Sequence, residues 1–474
     1  MPKKEDSAFY FKYLNESSNR LDYVFHHPRY DKIKSLTKSE KFKDLDSIII
    51  PNSIHQGYVA SGKETGKIPF INIENLDERR TIDLTEVRYL DDAPHNRLLQ
   101  LDDMLFSRSR EIGICCVITP ECVNAVCGSY IFFFKIKKDE MLPLYLAKYI
   151  NSELGQMQIE YIQTGSSGNN INIDETKTIR IICPSTDEQQ NILDPVLKLE
   201  RGAMKIETEI ETVKENINMM ILDELAISMS GIEKQYFFKT GKDEKSPYFV
   251  IPFEKISDRL NYLFYNPKLK LIDEVRKLYS TTTLGQIATI RRGEQPKYDE
   301  DGEIFVIKTV DLKDSYIDFE NCLHTTKEFF EQFPESHIKK NDVLVSSTGY
   351  VSMGKIDVFD EEKEAMADGH VSIMSLYEDY DPYFITFFLR SHLGKMQIEK
   401  WCTGSSGQIE LQPEDLKKVI IPDNTEKGIP KTKQEEIAKK LMGELDSLFD
   451  LEQRKKTLFE DAKTKFNKLV SPYT

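Results

Sequence analysis

Two tandem copies of one mixed α/β, strand-rich domain, each followed by a long helix, are what the sequence predicts. The two helices are expected to pair as an antiparallel coiled coil with pseudo-two-fold symmetry. Three observations lead there. The first is an internal repeat: residues 152–168 read SELGQMQIEYIQTGSSG and residues 391–407 read SHLGKMQIEKWCTGSSG, with twelve of 17 positions identical. RLDYVFHHPRYDKI from Arg20 and RLNYLFYNPKLKLI from Arg259 keep the same offset of 239 residues, as do Pro143 with Pro382 and Asp103 with Asp342. Two halves of equal length imply two copies of one domain. The second observation is a set of short apolar runs of strand type, and the third is a long heptad pattern.

Residues 1–185 form the first globular unit. IIIP at 48–51, IPFINI at 68–73 and YIFFFKI at 130–136 read as strands by length and by β-branched or aromatic content. Pro143 opens a helical segment with Leu146, Ile150, Leu154, Met157 and Tyr161 on one face, and Gly165 suits its stop. The second copy repeats this with Asp381 as N-cap, then Pro382, Ile385, Leu389, Leu393 and Met396. Each unit is thus expected to close with one helix and a TGSSG loop.

The central helix is placed at 186–228. Ile192, Val196, Leu199, Ala203, Ile206, Ile210, Val213, Ile217 and Met220 alternate in steps of four and three, the seam of a helix pair. Residues 229–256 read as a polar linker, and 257–430 as the second globular unit. The C-terminal helix occupies 431–474, with Leu441, Leu445, Leu448, Phe459, Ala462, Phe466 and Leu469 as its seam; Glu452 and Lys455 interrupt it. A helix of about 40 residues is about 60 Å long. Antiparallel pairing would set one globular unit at each end of a rod.

Composition is that of an ordinary globular chain, with 39% hydrophobic and 30% charged residues among 474. No apolar run approaches the length of a membrane span, and the start, MPKKEDSAFYF, lacks an apolar signal core. Seven scattered cysteines suggest reduced thiols and a cytoplasmic home. A net charge of −15 argues against coating nucleic acid by charge alone and favours a chain that borrows positive charge from a partner.

Catalytic signatures are missing: no phosphate loop, GxGxxG, GxSxG or HExxH. The nearest nuclease-like string, Pro422-Asp423 with Glu426-Lys427, has poor spacing and no duplicate. Cys115, Cys116, Cys122 and Cys127 lack the spacing of zinc pairs and have no counterpart in the second half, so buried strand thiols are the better reading. His26-His27 stand where the other half has Tyr265-Asn266 and read as structural. Arginines and hydroxyls on loops, as in IRRG at 290–293 or LFSRSR at 105–110, can meet phosphates and base edges or serve as turn chemistry. The TGSSG loops could offer N–H groups to a phosphate, but a turn locking helix to sheet is favoured.

The layout resembles the DNA specificity subunit of type I restriction–modification systems over nearly the whole chain. The resemblance rests on RLDYVF/RLNYLF, LGQIATIRRG, DDMLFSRSR/NDVLVSSTG, the LG-x-MQIE…TGSSG block, the strands ending in proline (IRIICP, KVIIP) and the glutamine-bearing helix starts (DEQQNIL, KQEEIAKKL), in the same order in both halves. The first half departs from the pattern in lacking the RRG. The resemblance implies a non-catalytic subunit that reads a bipartite double-stranded DNA target, one half per recognition domain, with paired helices setting the gap. It implies two methyltransferase subunits as partners and, in the full complex, two restriction/translocase subunits. No cofactor is expected in this chain; S-adenosylmethionine, ATP and Mg belong to the partners. Candidate base readers are His55, Gln56, Ser107, Arg108 and Arg110 in the first unit, and Arg291, Arg292, Lys297, Ser346, Ser347 and Thr348 in the second. The competing readings are a self-sufficient enzyme, a methyltransferase or nuclease with a divergent site, and a protein-only scaffold with two similar ends.

Overall fold

The computed structural model describes Tyr30, residues 42–228 apart from 64, 77–80, 85–86 and 164–169, the strands at 238–240 and 243–248, Ile256, and residues 262–473 apart from 267–268, 314, 350–351 and 406–407. The RLDYVFHHP string, the start of RLNYLF and the first TGSSG loop lie outside the described residues. The chain divides into two compact units, Met1–Met204 with Lys456–Thr474, and Lys205–Lys455.

In the first unit an antiparallel sheet runs in the order His55–Gln56, Ile131–Phe134, Met104–Ser107, Cys115–Val117. MLFS at 104–107 is buried at all four positions, without alternation, because both faces of its strand are covered. Met104 and Phe106 join a core with Tyr145 and Tyr149 of the following helix. Leu105, Cys116 and Phe133 join another with Ile71 and Cys127 of a second, three-stranded sheet. In that sheet Ile68–Ile71 pairs parallel with Val126–Cys127.

The second unit repeats the wiring. Its first sheet runs Ala288–Arg292, Val371–Leu376, Val343–Ser346, Ile356–Val358. Ile304–Ile307 pairs parallel with Ala365–Ala367 in its second sheet, which gains an extra edge strand, His337–Ile338. A further two-stranded pair recurs as well: Phe42–Asp44 with Arg180–Ile182, and Thr281–Thr283 with Ile420–Pro422.

Local structure corrects three expectations. IIIP at 48–51, read as a strand, holds the end of the helical turn Leu45–Ile48 and only a lone antiparallel bridge from Ile49 to Ile136. The closing helix of each unit is two helices, Pro143–Ile150 with Glu153–Ile162, and Pro382–Arg390 with His392–Trp401. The break falls at Ser152 and Ser391, both at ψ 167°; Ser152 caps the second helix by accepting from the Gly155 N–H at 3.3 Å. Residues 238–240 and 243–248, read as linker, form a short hairpin. Asp381 caps its helix as expected, accepting from the Phe384 N–H at 2.7 Å.

The packing explains the repeated strings. A Cβ on Gly155 would lie 2.7 Å from the carbonyl carbon of Ile150, and one on Gly394 2.5 Å from that of Leu389. The glycine therefore lets the second helix abut the end of the first. The glutamine of MQIE is a buried staple. Gln158 donates to Arg180 O at 3.0 Å and accepts from Arg180 N at 2.9 Å; Gln397 does the same with Ile420 at 2.9 and 2.8 Å. The glutamines at the helix starts act alike: Gln189 accepts from Leu142 N at 2.8 Å, and Gln434 from Asp381 N at 3.0 Å. Asp103 and Asp342 accept from the backbone N–H three residues earlier, Gln100 at 2.9 Å and Lys339 at 2.8 Å. These side chains hold the fold, which is why they repeat.

The long helices are Thr186–Glu224, with Pro195 inside it, and Lys431–Val470. Ile192, Val196, Ala203, Ile206, Ile210, Ile217, Leu441, Leu448, Ala462 and Phe466 are buried; Leu199, Val213, Met220, Leu445, Phe459 and Leu469 are half-buried. Within the first unit Ile192, Val196, Ala462 and Phe466 share one core with Tyr145. Within the second, Lys440 pairs with Glu224, Lys214 with Glu452 at 4.0 Å and Lys455 with Glu207 at 3.7 Å. Glu452 also accepts from Ser315 at 3.0 Å. The two residues that interrupt the seam thus make polar contacts of their own. Among the described residues no helix is long and apolar enough to cross a membrane.

Candidate nucleic-acid interface

Four segments converge at one edge of the second unit. The strand Ala288–Arg292 delivers Arg292, whose Nε donates to Gly369 O at 2.6 Å and whose Nη1 donates to Glu410 at 2.6 Å and Gln412 at 3.2 Å. Ser347 N donates to His370 O at 2.9 Å, and Leu411 N to Ser347 O at 2.9 Å. Thr348 pairs with Glu410 in a lone bridge. The loop after Arg292 lies on the same turn, since Tyr298 donates to Asp368 at 3.0 Å. Burial, then the Asp368 carboxylate that holds its proton, push the Tyr298 hydroxyl up to about 12.

The first unit assembles the corresponding segments. Gly57 N donates to Ile131 O at 2.8 Å, and Tyr58 N to Cys127 O at 2.7 Å. Arg108 N donates to Tyr130 O at 2.9 Å, and Ile171 N to Arg108 O at 3.0 Å. Ser109 pairs with Asn170 as Thr348 does with Glu410. In each unit, then, the opening loop, the strand-end loop, one turn (127–130 or 367–370) and the stretch after TGSSG meet.

The predicted readers separate by exposure. His55 and Gln56 are exposed on the edge strand; the His55 ring lies 5.4 Å from Phe133, and Gln56 donates to Ser129 O at 2.9 Å. Arg110 is exposed, 2.8 Å from Glu74, with its guanidinium 5.6 Å from the Tyr130 ring. Arg108 is half-buried over Phe132 at 5.3 Å. Lys297 is exposed, and Thr348 half-buried.

The others face inward. Ser107 is buried, receives the Ile114 N–H at 2.8 Å and donates to Glu111 O. Ser346 is buried, and Ser347 is buried against Ser372 at 2.6 Å. Arg291 is held by Glu335 O at 2.7 Å, Ser375 at 2.7 Å, His337 O at 2.8 Å and Asp342 at 3.4 Å. As they stand, Ser107, Ser346, Ser347 and Arg291 present no side chain to a groove, because strand ends in a two-faced sheet are covered. Tyr130 and His370, exposed at corresponding turns, escaped the sequence reading; their only signal is an offset of 240 residues between dissimilar turn strings.

The cysteines divide between two cores, Cys115 in one and Cys116, Cys122 and Cys127 in the other. Burial pushes the Cys127 thiol up to about 12. Among the described residues no three His, Cys, Asp or Glu side chains are grouped to hold a metal. Asp423 of the nuclease-like string accepts from Ser280 at 2.5 Å and Thr425 at 2.6 Å, which is loop architecture.

A family model described as the type I restriction modification DNA specificity domain matches residues 59–215 and 277–460. The MjaX type I restriction enzyme specificity subunit of Methanocaldococcus jannaschii is 24% identical over 460 residues, covering 91% of this chain and 96% of the relative. The EcoBI specificity subunit of Escherichia coli is 27% identical over 153 residues, 30% of this chain and 31% of the relative. A solved type I restriction–modification S subunit from M. genitalium aligns over 90% of this chain and 95% of its own, with 13% identity and a TM-score of 0.40. Two matched stretches, one in each half, cover most of the sequence, and the chain belongs to the type I restriction–modification DNA specificity family.

Proposed function

We propose that this chain reads a bipartite duplex target, one half-site per unit, and recruits two methyltransferase subunits, with two restriction/translocase subunits completing the complex. Its long helices pair antiparallel about a pseudo-two-fold axis and fix the gap between half-sites. Supporting this, Lys440 meets Glu224 while Lys455 meets Glu207 in the second unit, and Tyr473 meets Glu188 at 3.2 Å in the first. In the second unit, the position on the C-terminal helix rises from 440 to 455 as the one it meets falls from 224 to 207; Tyr473 lies just past the end of that helix. The chain is non-catalytic; S-adenosylmethionine, ATP and Mg stay with its partners, in the cytoplasm.

The observation that carries the reading is the same four-segment edge built twice. Base and phosphate contacts are assigned to His55, Gln56, Arg110, Lys297 and Thr348, joined by Tyr130, Tyr298 and His370. Arg108 and Arg292 orient the loops, and Arg291, Ser107, Ser346 and Ser347 support them. A genome-wide map of N6-methyladenine with and without the gene tests it. Loss of one split motif is expected; an unchanged map with the methyltransferase expressed would point to the protein-only scaffold.

Arg110 supplies a sharper test. It holds a left-handed φ of 62° where the second copy has Gly349 at φ 85°. An arginine there carries about 1–2 kcal/mol of backbone strain. Arg110→Gly is therefore expected to leave stability within about 1 kcal/mol while weakening cognate binding by the complex about 5- to 100-fold. Arg110→Lys should keep part of the affinity. Unchanged affinity and salt slope in titrations of labelled duplex would remove Arg110 from the interface.

A further inference from the structure

Hydrogen bonds match the opening loops of the two units in a way the sequence repeat does not. Gly57 N donates to Ile131 O at 2.8 Å and Tyr58 N to Cys127 O at 2.7 Å; Gly293 N donates to Val371 O at 3.0 Å and Glu294 N to Ala367 O at 3.1 Å. Ile131 and Val371 open equivalent strands, and Cys127 and Ala367 close equivalent ones. Gly57 and Gly293 are therefore one position, 236 residues apart rather than 239. Glycine is needed there. A Cβ on Gly57 would strike the carbonyl oxygens of Cys127 and Gly128, and one on Gly293 those of Ala367 and Asp368. Both loops are thus pinned against the turn, 127–130 or 367–370, that forms part of the recognition edge.

The residue two places on is presented alike in both units; it is Val59 in the first and Gln295 in the second. Tyr58 packs against the core of Phe70, Leu90 and Val126. Val59, next in the chain, is 80% exposed, the most exposed large apolar side chain among the described residues. Gln295 is exposed as well. Single apolar residues are ordinary on a surface, but this one occupies a position that two recognition edges present in the same frame. An aliphatic side chain has no hydrogen bond to offer, and the apolar group on the base edges of the major groove is the thymine methyl. A glutamine carries an acceptor and a donor side by side, the match for N6 and N7 of adenine. Tyr298 orients that glutamine. Its hydroxyl donates to Asp368 at 3.0 Å, so it meets the neighbouring Gln295 amide as an acceptor and turns the amide nitrogen toward itself. The amide oxygen and the second N–H remain for a base.

We infer that this position sets base specificity: Val59 meets a thymine methyl in one half-site, and Gln295 meets an adenine in the other. The assignment rests on the DNA-reading role and goes beyond it, naming the base group that each unit takes at one shared position.

The complex of this chain with its methyltransferase is titrated against labelled cognate duplex. Each thymine in turn is replaced by uracil, which lacks only the methyl, and each adenine by 7-deazaadenine, which lacks the N7 acceptor. One uracil in one half-site and one 7-deazaadenine in the other are expected to weaken binding about three- to tenfold each. Val59→Ala should bind the thymine and uracil duplexes within about twofold of each other while keeping the 7-deazaadenine effect, and Gln295→Ala should do the reverse. Both side chains are exposed, so the variants should melt within about 2 °C of wild type. A wild-type complex indifferent to every uracil or to every 7-deazaadenine would overturn the assignment. So would a uracil effect that survives in Val59→Ala, or a 7-deazaadenine effect that survives in Gln295→Ala. A split methylation motif alongside those results would leave the DNA-reading role standing, whereas binding indifferent to duplex sequence would overturn the role and the assignment together.

Discussion

Gly394→Ala is expected to destabilise the second unit by about 3 kcal/mol, because the added methyl overpacks a site with no flexible neighbour. The nearest atoms are the backbone of Leu389, not the end of a side chain that could swing away. Relief would require sliding His392–Trp401 off the end of Pro382–Arg390. That slide would pull Gln397 from its paired bonds to Ile420 at 2.9 and 2.8 Å. For a unit of this size the loss corresponds to roughly 10 °C in melting temperature. Gly443→Ala is the contrast. Gly443 lies in the helix Lys431–Val470 with no atom within 4 Å of an added Cβ, so alanine should stabilise that helix by up to about 1 kcal/mol. Calorimetric scans of the two variants decide the matter. A Gly394→Ala protein melting within a degree of wild type would refute the close-packing account of the repeated LG.

Arg390→Met should cost about 3–5 kcal/mol, the penalty for leaving one member of a buried ion pair alone. Arg390 donates to Asp357 at 2.5 Å and to Ile356 O from Nε at 2.7 Å; both residues are nearly inaccessible to water. Without the guanidinium, the Asp357 carboxylate keeps its desolvation penalty and loses the cation that offsets it. Arg390→Met with Asp357→Leu removes both charges and should recover most of the loss. Urea unfolding of the two variants and wild type measures this. Equal midpoints for Arg390→Met and wild type would show that the pair contributes nothing. The first unit solves the same problem without charge. Asn151, 239 residues earlier, accepts from Cys115 N at 3.0 Å and donates to Cys115 O at 2.6 Å. A neutral amide and a charged pair are thus two routes to one helix–strand junction, and only the charged route is exposed to this penalty.

Much of the fold was legible because its signals are local or periodic. The 239-residue repeat announced two copies, and the sheets of the two units share their strand order. The strands at 68–71 and 131–134 announced themselves as short apolar runs, since strands buried on both faces need no alternation. The heptad positions from Ile192 to Ile217 are buried or half-buried. The break at Ser152 was less legible, because the apolar face continues across it and only the serine's cap and the jammed glycine reveal two helices. LG and MQIE are the loudest matches in the chain, yet their side chains hold helices to strands, since packing constraints fall on both copies alike.

The sequence by itself determined the number of domains, their α/β class, the two long helices and the family to which the chain belongs. Only the tertiary structure decided which candidate readers face outward. Arg291 and Arg292 are neighbours of the same chemistry; one is locked into a ring of acceptors around Asp342 and the other reaches across to Glu410. Ser347 and Thr348 are also neighbours, one buried and one half-buried. Successive residues of an extended chain point to opposite sides. Which side meets solvent depends on segments more than 60 residues away in the chain, such as Glu410 beside Thr348, and no local pattern encodes that.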